Sequence, residues 1–181
     1  RVRKAYTKND QAMESINYPL LASIRGGYVY PYGSLRQEAP VRFYHGLEGR
    51  VALLKILPGE QTEVFDYLCE RNDAVIIEAL GVGGIPAARQ DLDPERLRLW
   101  SERGRTIVMG SQVMWEGSDI GVYEVGFRVR ELGCVLELYD MTLEAASAKL
   151  RWILAQSRDP QRIRQLFYTP VAGDILRRVP V

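Results

Sequence analysis

The residues best placed to do chemistry in this sequence fall in three short segments. Gly81-Val82-Gly83-Gly84 follows an apolar run, Ala74 to Leu80, and precedes a helical pattern, the position at which α/β domains present backbone amides to a ligand. Ser111-Gln112 stands at the end of the next apolar run and leads into the loop Trp115-Glu116-Gly117-Ser118-Asp119. Glu78 lies inside the first of these runs. A carboxylate there is costly to bury unpaired, so it must sit at an open strand end or be held by an arginine or by backbone amides. Each feature also has a plainer reading: the glycines let the chain turn, and the Trp115 loop is a surface loop with a partly buried ring. The sixth position from Gly81 is Pro86, so the dinucleotide fingerprint GxGxxG is not met and no cofactor is expected. His45 is the sole histidine, and Cys69 and Cys134 stand apart with no CxxC, so neither a metal site nor a Ser-His or Cys-His pair is expected. The two thiols read as small buried hydrophobes.

A regular alternation of strand-like and helix-like segments must position these residues. Val51 to Leu57, Ala74 to Glu78, Thr106 to Met109 and Val135 to Leu138 are short apolar runs without a two-residue period, the pattern of strands covered on both faces. Between and after them, helical spacing is expected over 60–71, 93–103, 121–132, 142–156 and 159–167. Asp93-Pro94, Thr142 and Asp159-Pro160 are start signals for three of these helices. Strands alternating with helices predict an open α/β domain, a flavodoxin-like four-stranded parallel sheet with flanking helices. The first 48 residues break this rhythm. Pro19, Pro31 and Pro40 with Tyr28, Tyr30, Tyr32, Phe43 and Tyr44 predict a linker arm and a small antiparallel piece.

Composition narrows the classes of function. The 181 residues suffice for one packed domain and an arm, and 24 Lys plus Arg against 23 Asp plus Glu leave no excess of positive charge for nucleic acid or anionic lipid. Neither partner is expected. No apolar run reaches the roughly 20 residues of a membrane span, and no signal-peptide core follows the amino terminus, so the chain reads as a soluble, cytoplasmic protein.

Four segments carry a family resemblance. Ser15-Ile16-Asn17-Tyr18-Pro19-Leu20-Leu21-Ala22 resembles the S-P-N-Y-P-P-L-A segment of bacterial cytoplasmic type I asparaginases. Glu78 through Pro86 is similar to their [E/R]-x-x-G-x-G-N-x-P, and Ser111-Gln112 with Gly117 through Gly126 to T-Q-C followed by G-V-D-L-x-x-Y-x-x-G. Asp140-Met141-Thr142-Leu143-Glu144-Ala145-Ala146 through Lys149-Leu150 resembles D-M-T-x-E-A-A-x-x-K-L near the family's carboxyl end. The resemblance implies a two-domain α/β protein whose amino-terminal domain supplies a threonine nucleophile and a second threonine backed by lysine and aspartate, forming an acyl-enzyme that water cleaves.

No segment here matches those threonine motifs, so this chain is expected to be inactive by itself, as part of a longer protein. On that reading residues 1–48 hold the end of the amino-terminal domain, the arm and the antiparallel piece, and residues 49–181 the carboxy-terminal α/β domain. The implied partners are the amino-terminal catalytic domain, further copies in a homodimer or homotetramer, and asparagine or a related amino acid. The implied substrate or effector positions are Glu78, Gly81, Gly83, Gly84, Ser111, Gln112 and Glu116. Gly84 departs from the family's usual Asn, Val113 from its frequent Cys, and Glu78 from the arginine of effector-regulated members. Two other readings stay open: the amidohydrolase subunit of a tRNA-dependent amidotransferase, and a non-catalytic amino-acid-binding or oligomerisation module.

Overall fold

Apolar runs that lack alternation need cover on both faces. The chain supplies it for Ala74–Ala79, Thr106–Ser111 and Val135–Glu137 but only in part for Val51–Lys55, which lies at the sheet edge with Leu53 half exposed. The computed structural model describes residues 2–33, 40–59, 63–86 and 89–176, the side chain of Val125 excepted. Two short antiparallel pairs come first: β1 (Arg3–Lys4) with β2 (Met13–Glu14), and β3 (Ala22–Arg25) with β4 (Tyr28–Pro31). The central sheet follows, with β5 (Val51–Lys55), β6 (Ala74–Ala79), β7 (Thr106–Ser111) and β8 (Val135–Glu137) all parallel and in sequential order. Helices α1 (Val64–Arg71), α2 (Pro94–Glu102) and α3 (Glu124–Glu131) connect these strands, and α4 (Leu143–Gln156) and α5 (Pro160–Tyr168) follow the last.

In a sequential parallel sheet, right-handed crossovers put every connecting helix on one side. Phe65 and Cys69 of α1, Leu97 and Trp100 of α2 and Val129 of α3 accordingly share one core with Val75, Ile77, Ile107 and Met109. The alternate strand residues Ala74, Ile76, Val108 and Leu136 face the other way, against Leu150 and Ile153 of α4 and Ile163 and Phe167 of α5. The expected parallel sheet and helices are all present. The expected helix start at residue 60 lies outside the described residues. Helix α3 begins later than its periodicity predicted, because the backbone around Ile120 is engaged elsewhere. The three start signals act as read: Asp93, Thr142 and Asp159 accept hydrogen bonds from the backbone N–H three residues on, at 2.7, 3.2 and 2.8 Å. Each such cap contributes about 1 kcal/mol.

The arm is bound at several points. Ile16 is buried, Asn17 Nδ2 donates to the Met114 carbonyl at 3.0 Å, and Arg3 pairs with Glu144 at 3.2 Å. Nearer the sheet the chain lies along α4: the Tyr44 ring meets Trp152 edge-on with centroids 5.2 Å apart, and Gln156 Nε2 donates to the His45 carbonyl at 2.8 Å. The β3–β4 hairpin, in contrast, is exposed on both faces, with Ile24 at 75% and Tyr28 at 71%.

Two aspartates join helices and strands that the sequence alone does not connect. Asp66 of α1 accepts from Arg96 and Trp100 of α2. Asp73 accepts from the Arg50 amide at 2.8 Å and pairs with Arg158 at 3.2 Å, tying the starts of β5 and β6 to the α4–α5 turn. Partial burial pushes both carboxyls up, but hydrogen bonds and arginine charges outweigh it and hold each below the ordinary 3.8. A depressed folded-state pKa gives stability that is present above the unfolded value and lost as pH falls through the folded one. Stability should therefore stay level from neutral pH down to about 5 and decline below about 4. Urea titrations from pH 7 to 3 check this, and in Asp73→Asn the acid decline should be shallower.

Candidate functional site

Beyond the carboxyl ends of the strands two loops are built onto each other by backbone contacts. Leu80 and Gly84 exchange N–H···O bonds of 3.0 and 2.6 Å, closing a tight turn over Gly81-Val82-Gly83. The Ser111 hydroxyl donates to the Gly81 carbonyl and accepts from the Val113 amide at 2.8 Å. From the other loop, the Asp119 amide donates to the Val82 carbonyl at 2.7 Å and the Ser118 amide to the Tyr139 carbonyl at 2.8 Å. These approaches require glycine at two points. Gly83 has φ 143°, and a Cβ there would stand 2.8 Å from Ile120 Cγ2. At Gly117, with φ 75°, a Cβ would overlap the Tyr139 carbonyl.

The structure brings only some of the sequence-predicted residues together. Gly81, Gly83, Gly84 and Ser111 form one turn, bounded by the Tyr123 ring. Gln112 is a strut: its Nε2 donates to the Ile56 carbonyl at 2.6 Å and lies 3.4 Å from that of Glu78, crossing from the end of β7 to the end of β5. Glu116 is exposed beside Met114 and Trp115. Glu78 is buried, and its partner is a lysine. Lys55 stands opposite it in the β5–β6 register and donates from Nζ to Oε1 at 3.0 Å. This pair borders a groove of about 370 Å³ between β5 and the start of α4, together with Leu53 and Ser147.

Several buried polar groups escaped the sequence reading. Glu137 continues the cross-sheet row Leu54, Ile77, Met109, and its Oε1 accepts from the Ile120 amide at 3.0 Å, anchoring the second loop. The charge inside the run CVLEL was the same signal that marked Glu78. The Glu137 amide in turn donates to Tyr168 Oη at 2.8 Å. Burial pushes the Tyr168 phenol up to about 12, against the lowering effect of that hydrogen bond, and burial likewise pushes the Cys69 thiol to about 12. Both stay protonated near neutral pH, so neither supplies a base or a nucleophile there.

Lys149 belonged to the strongest sequence motif without a role. Its ammonium pairs with Asp174 at 2.6 Å and donates to the Thr169 carbonyl at 2.7 Å, while Asp140 of the same motif accepts from the Leu176 amide at 3.1 Å. These charges hold the segment after α5 against α4.

Fold and loops together define a three-layer α/β domain whose carboxyl strand ends carry its candidate functional face. The family described as Glutaminase/Asparaginase C-terminal domain matches residues 50–167, and the chain belongs to that family. It is 34% identical over 178 residues to an L-asparaginase of Thermococcus kodakarensis, covering 97% of this chain and 53% of the relative. It is 31% identical over 190 residues to a glutamyl-tRNA(Gln) amidotransferase subunit of Aeropyrum pernix, covering 98% of this chain and 42% of that one. The solved structure of the thermostable L-asparaginase from Thermococcus kodakarensis superimposes with a TM-score of 0.88 at 33% identity, over 98% of this chain and 54% of that chain. The fold is also that of L-asparaginase I from Vibrio cholerae, with a TM-score of 0.82 at 24% identity. The chain thus spans about half the length of its relatives, and the likeness is not confined to bacterial proteins.

The Lys149–Asp174 pair is nearly dehydrated, with side chains 4% and 11% exposed. Removing one partner of a buried pair leaves the other charge uncompensated, at a cost of about 3–5 kcal/mol, whereas removing both is often close to neutral. Lys149→Met should lower the unfolding free energy in urea by that amount, and Lys149→Met/Asp174→Asn, which removes the charge but keeps the oxygen that accepts from the Val171 and Ile175 amides at 2.6 and 3.0 Å, should recover most of it.

Proposed function

We propose that this chain is the carboxy-terminal part of an amidohydrolase that cleaves the side-chain amide of asparagine or a related amino acid, and that its strand-end face completes an active site whose reacting groups lie elsewhere. On this reading residues 1–48 lead from the preceding domain into the α/β domain of residues 49–181. The observation that carries the reading is the surface of the loops after β7. Met114, Trp115, Val122 and Tyr123 are 45%, 61%, 61% and 48% exposed beside the glycine turn. Large apolar side chains gathered on one exposed loop system mark a contact face, and aromatic and Met residues are enriched at interface cores. The occupant is the rest of the protein, in the same or a neighbouring copy of a homodimer or homotetramer. Gly81, Gly83, Gly84, Ser111 and Glu116 then face substrate or effector, while Glu78 and Gln112 act from beneath as an ion pair and a strut. The free thiols Cys69 and Cys134 fit a reducing, cytoplasmic setting.

The likeness to the amidotransferase subunit favours a second reading, release of ammonia from glutamine. The near-neutral net charge of +1 supplies no added basic surface for tRNA, which ranks it behind the first.

Two measurements test the proposal. The 181-residue chain should release no ammonia from asparagine or glutamine, while the intact protein should turn over asparagine in preference to glutamine. Turnover by this chain that a substitution within it abolishes would overturn the reading, and a preference for glutamine would favour the second. For the contact face, sedimentation should show self-association through an interface above about 1,000 Å². Trp115→Ala should weaken it by about 2 kcal/mol. A monomer at high micromolar concentration, or an unchanged dimer constant in the variant, would remove that loop from the interface.

A further inference from the structure

At the opposite end of the sheet, where β7 and β8 begin, a cleft of about 180 Å³ opens between the α2–β7 turn and the start of α5. Arg105, Arg158 and Arg164 line it, and no aspartate or glutamate among the described residues does. Their positive charge is incompletely answered. Asp73 is shared between Arg158 at 3.2 Å and Arg50 at 3.7 Å, so one carboxylate serves two guanidiniums. Arg164 donates to the Gly133 carbonyl at 3.3 Å and lies over the Tyr168 ring, contacts with neutral groups. Arg105 Nε is buried with no hydrogen-bond partner, the single side-chain atom so placed among the described residues. A buried N–H without an acceptor is a marked exception in folded proteins, and an arginine fork is suited to a carboxylate or phosphate. Leu136 and Ile163 give the same cleft an apolar wall.

We propose that this cleft binds a small organic anion of about the size of one amino acid, its carboxylate or phosphate held by the arginines and its body against Leu136 and Ile163. A concave site with an apolar wall and a few convergent polar groups is the form small-ligand sites take. The site lies at the far end of the strands from the face assigned to amide chemistry, so it stands or falls separately from that assignment. A ligand there would bridge the α2–β7 turn and α5, and stabilise the folded chain by mass action.

The test is a titration of the full chain with inorganic phosphate and, separately, succinate, each balanced with sodium chloride to constant ionic strength, following the thermal midpoint and the heat of binding. A saturable rise with one or both is expected, and the stronger arm identifies the anionic group. Arg164→Gln should weaken binding at least tenfold. Gln161→Glu puts a carboxylate on an exposed residue at the mouth of the cleft and in the first turn of α5, and should abolish binding while raising the unliganded midpoint or leaving it no lower. Midpoints that follow ionic strength without saturating, or binding that survives in Gln161→Glu, would overturn the site.

Discussion

A parallel sheet has no face that it can leave to water, and that requirement governs most of this molecule. Because the strands are in sequential order, their connections cover one face only. The second face, with Ala74, Ile76, Val108 and Leu136, stays bare until the chain has passed β8 and laid down α4 and α5. Those helices have no further strand to fix them. The Lys149–Asp174 pair and the Asp140 contact to the Leu176 amide fasten the segment that follows α5. A strongly matched motif near the family's carboxyl end is thus explained by the sheet's need for a lid.

With both faces covered over β6, β7 and β8, the strand ends are where backbone groups and loops remain accessible. At the carboxyl strand ends, charges that approach the core do so with an opposite charge or an amide already in place, since a lone buried charge costs several kcal/mol. Glu78 obtains Lys55 from strand register; Glu137 obtains the Ile120 amide from the loop above it. Arg89 and Asp91 pair at 2.8 Å in a buried two-pronged contact just before α2. The result is a firm loop block that shows apolar side chains to the outside. Such a face can shape a site and exclude water.

The sheet and its helices were legible because burial on both faces writes itself as unbroken apolar runs, and because Asp93, Thr142 and Asp159 stand at positions where a helix needs an acceptor. Strand order was not legible, since an apolar run carries no record of its neighbour. Pairings across the chain were hidden for the same reason: nothing local at Glu78 points to Lys55, and nothing at Lys149 to a carboxylate 25 residues further on. Glu137 could have been found, being a second charge inside a strand-like run. For the candidate site, the sequence marked the loops that the fold packs together, but not the commitments of two side chains within them. Gln112 and Glu78 stood as ligand positions because the family resemblance implied them; here each has its polar end engaged by neighbouring strands.

The glycines of the first loop differ in kind, and the difference bears on specificity. Gly83 is fixed by a left-handed backbone and by Ile120, so any side chain there would separate the two loops. Gly84 lies outside the left-handed region, and a Cβ on it would meet the Leu80 carbonyl at 3.3 Å and the Tyr123 ring at 3.8 Å. That is a close but passable fit, in which Leu80 needs to give by a few tenths of an ångström. The position where the family usually carries Asn can therefore change its side chain without rebuilding the frame, because both of its bonds to Leu80 are made by backbone atoms. In this chain the space beside Tyr123 is left open. Relative to Asn, glycine leaves the volume of a methylene and a carboxamide unfilled there and removes a carbonyl acceptor and an amide group with two N–H donors. The glycine turn, the Glu137 anchor and the Gln112 strut hold the two loops in place around that space whichever side chain the position carries.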